Sequence, residues 1–222
     1  MFSRAIIDFD DTLFNTQLLK EDIASVFQEF GVGPQIFWES YKEARDNQAG
    51  KTLYTFERQL QILNKDYIFV DIDRAKQRLS ALFDQPAHYV FSEASAFLSE
   101  LKNRGADLIL LSLGEENFQF KKLEKSGLAP FFSKIFLVND SKLNVLPQIL
   151  TTPGSATFLI NDKVKETKEI FKFFPALRPI LKTRKDVPIS EYQHSGLPYF
   201  NTLTEILTYL DKSVNSVNSG HS

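Results

Sequence analysis

Three carboxylates crowd the end of a short apolar run: Ala5-Ile6-Ile7 leads into Asp8-Phe9-Asp10-Asp11-Thr12-Leu13. Like charges a few ångströms apart repel and raise one another's pKa, so a fold that gathers carboxylates puts a cation or a proton among them. Taken alone, the segment fits equally well a turn followed by a helix cap, because Asp and Thr serve both purposes. The two readings separate on whether other polar residues arrive at the same place.

The elements that would position this cluster follow from periodicity. From about Arg4 to Phe9 the chain is a continuous apolar run ending in acid, the pattern of a parallel strand buried on both faces. From Leu18 to Phe83 the pattern is helical. Ile23, Val26, Phe27 and Phe30 recur at helical spacing and stop at Gly31, and Pro34 opens a second helix through Phe37 and Tyr41. Phe56-Leu60-Leu63 and Ile72-Ala75-Leu79-Leu82, the latter behind an Asp71 cap, give two more; Tyr67-Ile68-Phe69-Val70 is ambiguous between strand and loop. After Pro86 helices and strands alternate. A helix carrying Phe97, Leu98 and Leu101 starts behind Ser92 as cap, followed by a strand from Asp107 to Ser112 and a helix ending at Gly127. Next come a strand from Ile135 to Val138, a short helix near Leu146 and a strand from Thr157 to Ile160. Short strands at Arg178-Pro179-Ile180-Leu181 and Pro198-Tyr199-Phe200 precede a closing helix from Thr202 to Leu210. The polar tail from Ser213 to Ser222 is expected to be disordered.

Alternation of this kind predicts an α/β fold, a Rossmann-like parallel sheet flanked by helices. The all-helical block reads as an insertion: residues 1–16 and 86–212 form the sheet domain, and 17–85 an all-helical cap domain. It leaves and rejoins near the carboxyl edge, where such sheets bind ligands.

Polar residues stand at four strand ends: Asp8 with Asp10, then Ser112 followed by Leu113 and Gly114, then Lys142 beside Asp140, and Asp162 with Glu166. Each alone has an ordinary explanation as a strand end, a surface lysine or a helix cap. Gathered at one sheet edge they match the needs of phosphoryl transfer: a nucleophile, a cation for the phosphoryl oxygens, donors for the remaining charge and an acid for the leaving oxygen. Asp8 and Asp162 would supply carboxylates to Mg2+, which prefers a few hard oxygen ligands together with phosphate and water. Ser112 would donate a hydroxyl, Lys142 would set a positive charge against the phosphoryl group and Asp8, and Asp10 would be acid and base. Lys121 and Lys122 are rivals for the place of Lys142.

These segments resemble the motifs of the haloacid dehalogenase (HAD) superfamily of phosphatases. Asp8 to Leu13 is similar to its first motif, DxDxT; Leu111-Ser112-Leu113-Gly114 to the second; Ser141-Lys142 to the third; and Asn161-Asp162-Lys163-Val164-Lys165-Glu166 to the acidic fourth. Phe120-Lys121-Lys122-Leu123-Glu124-Lys125-Ser126-Gly127-Leu128, followed by Phe131-Phe132, resembles the stretch after motif two in the phosphoglycolate-phosphatase-like branch, and the helical insertion that branch's C1 cap. The resemblance implies a Mg2+-dependent phosphatase in which Asp8 attacks phosphorus and becomes an aspartyl phosphate, while Asp10 protonates the leaving group and then activates water. It implies Mg2+ on Asp8, the Asp10 carbonyl and Asp162, with Glu166 acting directly or through water, and Thr12 fixing the turn. Substrate contacts would come from Thr12, Ser112, Leu113, Gly114 and Lys142, joined by the cap residues Arg45, Lys51 and Arg58. Dehalogenase members lack an acid/base carboxylate at the Asp10 position, so its presence implies phosphate esters. The fourth motif departs from the usual Gly-Asp with a second Asp, and Leu143 stands where Pro often follows the lysine. Alternatives are a phosphomutase, a phosphonatase using Lys51 as a Schiff base, or an inactive HAD-like binding or regulatory protein. A phospho-receiver domain fits poorly, because the helical insertion far exceeds ordinary loop lengths.

Composition narrows the field. The 222 residues carry a formal net charge of -2, with 43% hydrophobic and 24% charged residues and 21 Phe, which is a globular chain with a heavy aromatic core. Dispersed basic residues give no nucleic-acid footprint, and Lys182-Thr183-Arg184-Lys185 reads as a solvated strand end or loop. The absence of Cys excludes disulfides, thiolate zinc and a cysteine nucleophile; the three histidines are too scattered for a local metal site. Neither a signal peptide nor a membrane span is expected, so the expectation is a cytoplasmic monomer or homodimer acting on a small phosphorylated metabolite, with no nucleic-acid or membrane partner. Phe37, Trp38 and Tyr41 are expected to be cap core.

Overall fold

The computed structural model describes residues 3–46, 54–68, 70–84, 86–150 and 156–218. The first strand, β1 (Arg4–Ile7), is followed by four helices: α1 (Thr16–Glu29), α2 (Pro34–Arg45), α3 (Phe56–Asp66) and α4 (Ile72–Ala81). Then come α5 (Ala94–Asn103), β2 (Asp107–Leu113), α6 (Glu116–Lys125), β3 (Lys134–Val138), α7 (Leu146–Ile149) and β4 (Thr157–Asn161). The chain closes with α8 (Val164–Phe173), β5 (Arg178–Lys182), α9 (Ile189–Gln193), β6 (Tyr199–Phe200) and α10 (Leu203–Asn218).

All six strands are parallel, in the order β3-β2-β1-β4-β5-β6. β1 therefore lies inside the sheet, with Ile6 opposite both Ile109 and Leu159. Successive residues of β1 serve opposite faces. Ile6 packs with Ile109, Leu159, Leu146 and Ile170 on one side, while Ala5 and Ile7 join Leu108, Leu110, Phe158 and Ile180 on the other. Covering both faces is why the strands read as unbroken apolar runs. The larger cluster continues without a break from the sheet into the helical insertion, through Phe9, Phe14, Phe27, Phe37, Phe56 and Phe83.

Local chemistry sets the helix ends. α1 starts two residues earlier than the apolar pattern implied, because the Asn15 side chain accepts the Leu18 N–H. Asp71 caps α4 as expected. Ser92 does not cap α5; the preceding residue is Glu93, whose carboxylate reaches across to accept Leu203 N–H and Thr204 Oγ1–H, capping α10 instead. Tyr67, Ile68 and Val70 form no strand, since Asn64 holds both the N–H and the C=O of Val70; Phe69 lies outside the described residues. Helix α10 runs on to Asn218, past Leu210 and into the polar segment expected to lack order: Leu203, Ile206 and Leu210 anchor it, and a nucleated helix extends at little further cost.

Candidate active site

The carboxyl ends of β1, β2, β3 and β4 converge, as the order of the strands requires. Asp8 follows β1 directly, its N–H bonded to Ile160 O at 2.9 Å, and is buried. Lys142 arrives from a short turn after β3 and is only 2% exposed. Its Nζ donates to Asp8 Oδ1 at 2.6 Å and pairs with Glu166 Oε2 at 2.8 Å, from the first turn of α8. Burial alone would strip the Lys142 proton, but the two facing carboxylates outweigh it and hold the group cationic. Glu166 is kept below the usual carboxylate range against its burial, chiefly by Lys142, and Asn161 Nδ2 donates to the same oxygen at 2.8 Å. Thr12 is buried and reaches Asp8 Oδ2 only at 3.5 Å. Asp140 accepts from Ser141 N and Asn144 Nδ2 in the turn and lines a cavity with Lys142, Asp162 and Glu166.

Three buried side-chain oxygens among the described residues have no partner: Ser112 Oγ, at the end of β2, Asp162 Oδ1, just past β4, and Gln119 Oε1 on α6. Unpaired buried oxygens are costly, and such exceptions mark places that a ligand completes. Burial and the Asp8 charge push Asp162 up to about 7. Its other oxygen takes Arg184 Nη1 at 3.1 Å.

Asp10 faces the helical insertion and has a cation of its own. Lys122 Nζ donates to Oδ1 at 2.5 Å, Thr16 Oγ1 to Oδ1 at 2.7 Å and Gln119 Nε2 to Oδ2 at 2.6 Å. Burial raises the Asp10 pKa, but the Lys122 charge and the bonds from Gln119, Lys122 and Thr16 bring it down to about 2. The rivalry between lysines thus resolves into a division: Lys142 serves Asp8, Lys122 serves Asp10, and Lys121 lies over the Phe83 ring.

Asp11 is the turn residue expected. At φ 59° it is the one non-glycine with positive φ among the described residues, and its Oδ1 accepts the Thr16 N–H at 3.1 Å. Because Asn tolerates this backbone and keeps the acceptor whereas Ala does neither, Asp11→Ala is expected to cost about 2 kcal/mol in urea unfolding and Asp11→Asn less than half of that. Equal losses would show that the backbone strain does not matter.

The segment read as a solvated loop is instead part of the site. Lys182 is buried, lies 3.7 Å from the Phe91 ring centroid and donates to Asp11 O. Arg184 joins Asp162, Asp11 and Asp186. The buried Tyr192 of α9 accepts the Arg184 N–H and donates to Asp162 O. No local pattern marks these residues, since Lys182 and Arg184 meet Asp11, at the other end of the chain, and Asp162 only through the fold.

Between this edge and the helical insertion lies a cleft of about 220 Å³ lined by Asp10, Thr16, Lys20, Tyr41, Arg45 and Tyr54 on one side. Leu113, Gly114, Gln119, Lys122 and Arg184 line it from the other. Arg45 thus reaches the cleft as expected, whereas Arg58 does not line it, and Lys51 falls outside the described residues. Of this trio Phe37 is core, Tyr41 packs against that core while also lining the cleft, and Trp38 is 44% exposed. Lys20, which the sequence did not single out, lies over the Tyr41 ring and is pushed down by burial.

A parallel sheet whose inner strand leads into paired carboxylates, each answered by a lysine from a later strand end or helix, puts a charged cluster at the edge where such α/β sheets bind ligands. The chain belongs to the haloacid dehalogenase-like hydrolases: that family's model matches residues 5–147. A phosphoserine phosphatase of Thermus thermophilus is 38% identical over 66 residues, 29% of this chain and 26% of that protein, so the match spans about a quarter of the relative's length. Among solved structures, a protein of Burkholderia xenovorans LB400 described as a haloacid dehalogenase-like hydrolase superposes with TM-score 0.68 at 21% identity, covering 94% and 96% of the two chains. The HAD-hydrolase YfnB of Bacillus subtilis, solved with magnesium, gives 0.62 at 18% over 94% and 98%. A Thermotoga maritima protein described as a β-phosphoglucomutase gives 0.64 at 16% over 95% and 99%. At such identities the likeness is one of fold. Among the described residues no helix is long and apolar enough to cross a membrane.

Proposed function

We propose that the protein is a Mg2+-dependent phosphatase that hydrolyses a small phosphomonoester through an aspartyl phosphate on Asp8. The observation that carries this reading is Asp10: a second carboxylate, two residues past Asp8, held at the cleft by Thr16, Gln119 and Lys122. A dehalogenase has no use for it, whereas ester cleavage needs a proton for the leaving oxygen. In this reading residues 17–85 cap a core made of 1–16 and 86–212.

The donors suit a hard divalent cation. The candidate ligands are all oxygens, and the unpartnered Asp162 Oδ1 belongs to a carboxylate whose pKa the Asp8 charge raises. Mg2+ keeps several waters and needs only a few protein oxygens. Asp8, the Asp10 carbonyl and Asp162 would hold it, while Glu166 is engaged by Lys142 and Asn161. Bound there, Mg2+ would neutralise the charge of the phosphoryl oxygens.

Asp8 attacks phosphorus with the oxygen not held by Lys142, and the bond from phosphorus to the ester oxygen breaks. Asp10 gives that oxygen its proton; the negative phosphate brought alongside raises the affinity of Asp10 for the proton it needs. Ser112 Oγ and Lys142 donate to the phosphoryl oxygens. Asp10, again a carboxylate, then takes a proton from water as the water oxygen attacks phosphorus, releasing inorganic phosphate and free Asp8.

Release of inorganic phosphate from a panel of phosphometabolites with Mg2+ tests the proposal. Transfer to a sugar hydroxyl instead of water would identify a phosphomutase, and inertness of both wild type and Asp8→Asn across the panel would leave the binding or regulatory reading. Proton linkage offers a second check. With Asp162 at about 7 against its ordinary 3.8, the folded chain carries a proton the unfolded chain lacks between those values, so ion-free stability falls as pH rises through that window. A cation on Asp162 competes with that proton. The rise in Tm on adding Mg2+ is therefore expected to be larger at about pH 8 than at about pH 5, and Asp162→Asn to remove the difference. An equal rise at both pH values would contradict this placement of the ion.

A further inference from the structure

We propose that α6 is a positioning device for Asp10, in which Lys122 and Gln119 fix the two oxygens of its carboxylate and Gly114 is a glycine in order to admit the Gln119 amide. The proposal rests on the reading of Asp10 as acid and base. Gln119 and Lys122 lie three residues apart on one face of α6 and reach different oxygens of the same carboxylate. With Thr16 from α1 closing the third side, the group can neither rotate nor swing away. A carboxylate held at one oxygen would be free to turn about its last bond.

Four further features suit a built device rather than an incidental ion pair. Lys122 is 3% exposed, and its ammonium lies 5.6, 5.4 and 5.6 Å from the ring centroids of Phe9, Phe14 and Phe118. Replacing a buried ion pair by apolar residues is often neutral or stabilising, so stability gives little reason to keep this one. Gln119 is likewise buried, and its Nε2 is shared between Asp10 and Leu113 O, so the amide tethers the β2 end to the acid. A Cβ on Gly114 would stand 2.4 Å from Gln119 Nε2 and 2.7 Å from Cγ, so a side chain there expels the amide from its place. Helix α6 is itself keyed in position: Glu115 caps it through the Phe118 N–H, and the Phe118 ring packs edge-on against Tyr54, Phe56 and Phe83 of the helical insertion. Lys122 touches Asp10 and not Asp8, which makes it a positioning residue rather than a catalytic one.

Leaving-group dependence tests the assignment. A good leaving group such as p-nitrophenolate needs little protonation, whereas an alkoxide needs it fully, so a displaced acid harms alkyl phosphates selectively. Steady-state kcat and KM are measured on p-nitrophenyl phosphate and on the alkyl phosphate with the highest turnover in the panel, for wild type, Asp10→Asn, Lys122→Met, Gly114→Ala and the exposed-site control Lys125→Met. Lys122→Met and Gly114→Ala are each expected to lower kcat on the alkyl ester by about 10-fold or more, with KM little changed and p-nitrophenyl phosphate affected less than about 3-fold. Asp10→Asn should show the same selectivity more strongly, and Lys125→Met none. Equal losses on both substrates in Lys122→Met and Gly114→Ala, with Asp10→Asn selective, would overturn the positioning role alone. Absence of selectivity in Asp10→Asn would overturn the acid/base reading and the inference with it. Circular dichroism and Tm establish that each variant folds; should Lys122→Met fail, Gly114→Ala decides.

Discussion

Asp8→Asn is expected to abolish phosphate release, by at least about 10⁴-fold in kcat, with the fold intact. The amide has the shape of the carboxylate and keeps an oxygen for Lys142 Nζ, now 2.6 Å from Asp8 Oδ1, but it has no charge with which to attack phosphorus. Stability should hold or rise, because the substitution removes one of the like charges pressing on Asp162. Lys142 retains Glu166 as counter-ion. Phosphate assay and thermal unfolding on the same preparation read both effects. A variant retaining activity within about tenfold of wild type would remove Asp8 as nucleophile and with it the covalent route.

Lys142→Met should be the most destabilising of these substitutions. The methionine fills much of the same space, but Asp8 and Glu166 then face one another without the ammonium at 2.6 and 2.8 Å that joins them. Removing one partner of a buried pair leaves an uncompensated buried charge, which typically costs about 3–5 kcal/mol. For a chain of this size that lowers Tm by roughly 10 °C. Adding Glu166→Gln should recover part of the loss, since it removes one of the stranded charges, and a double variant less stable than the single would contradict the account. Urea unfolding of the two proteins and wild type gives the comparison directly.

Much of the sheet was legible because its inner strands, β1, β2, β4 and β5, are buried on both faces. Asp107–Leu113 and Thr157–Asn161 are runs of apolar residues with a polar end, as is the run that leads into Asp8. The residues nearest the carboxyl edge were legible for a related reason: Asp8, Ser112, Lys142 and Asp162 each lie within a few residues of a strand that announces itself. Lys122 and Gln119 were harder, since they sit mid-helix among other polar residues and only the fold brings them to Asp10, 112 and 109 positions away. Arg184 and Lys182 were misread for the same reason. A basic run is normally solvated, and what favours burial here is mostly brought by the fold: the Asp11 carbonyl, 171 positions from Lys182, and for Arg184 the carboxylates of Asp11 and Asp162, with Asp186 its one neighbour in sequence. Glu93 illustrates the opposite error at short range: Ser92 was the better cap by type, but the neighbouring glutamate found helix termini elsewhere.

The interior position of β1 has a consequence for how the molecule comes into being. Its two neighbours are β2 and β4, and even Arg4 finds its side-chain partners 103 and 145 positions downstream, at Asp107 and Ile149. During synthesis the segment bearing Asp8 and Asp10 is thus made well before anything that can pair with it, and contacts so distant in sequence form slowly. The helical insertion, whose contacts are local, can be organised in the meantime. Chemistry is thereby tied to completion: the acidic segment meets Lys142 and Asp162 only after the later strands are in place, so a nascent or truncated chain presents its acids without the groups that would make them reactive.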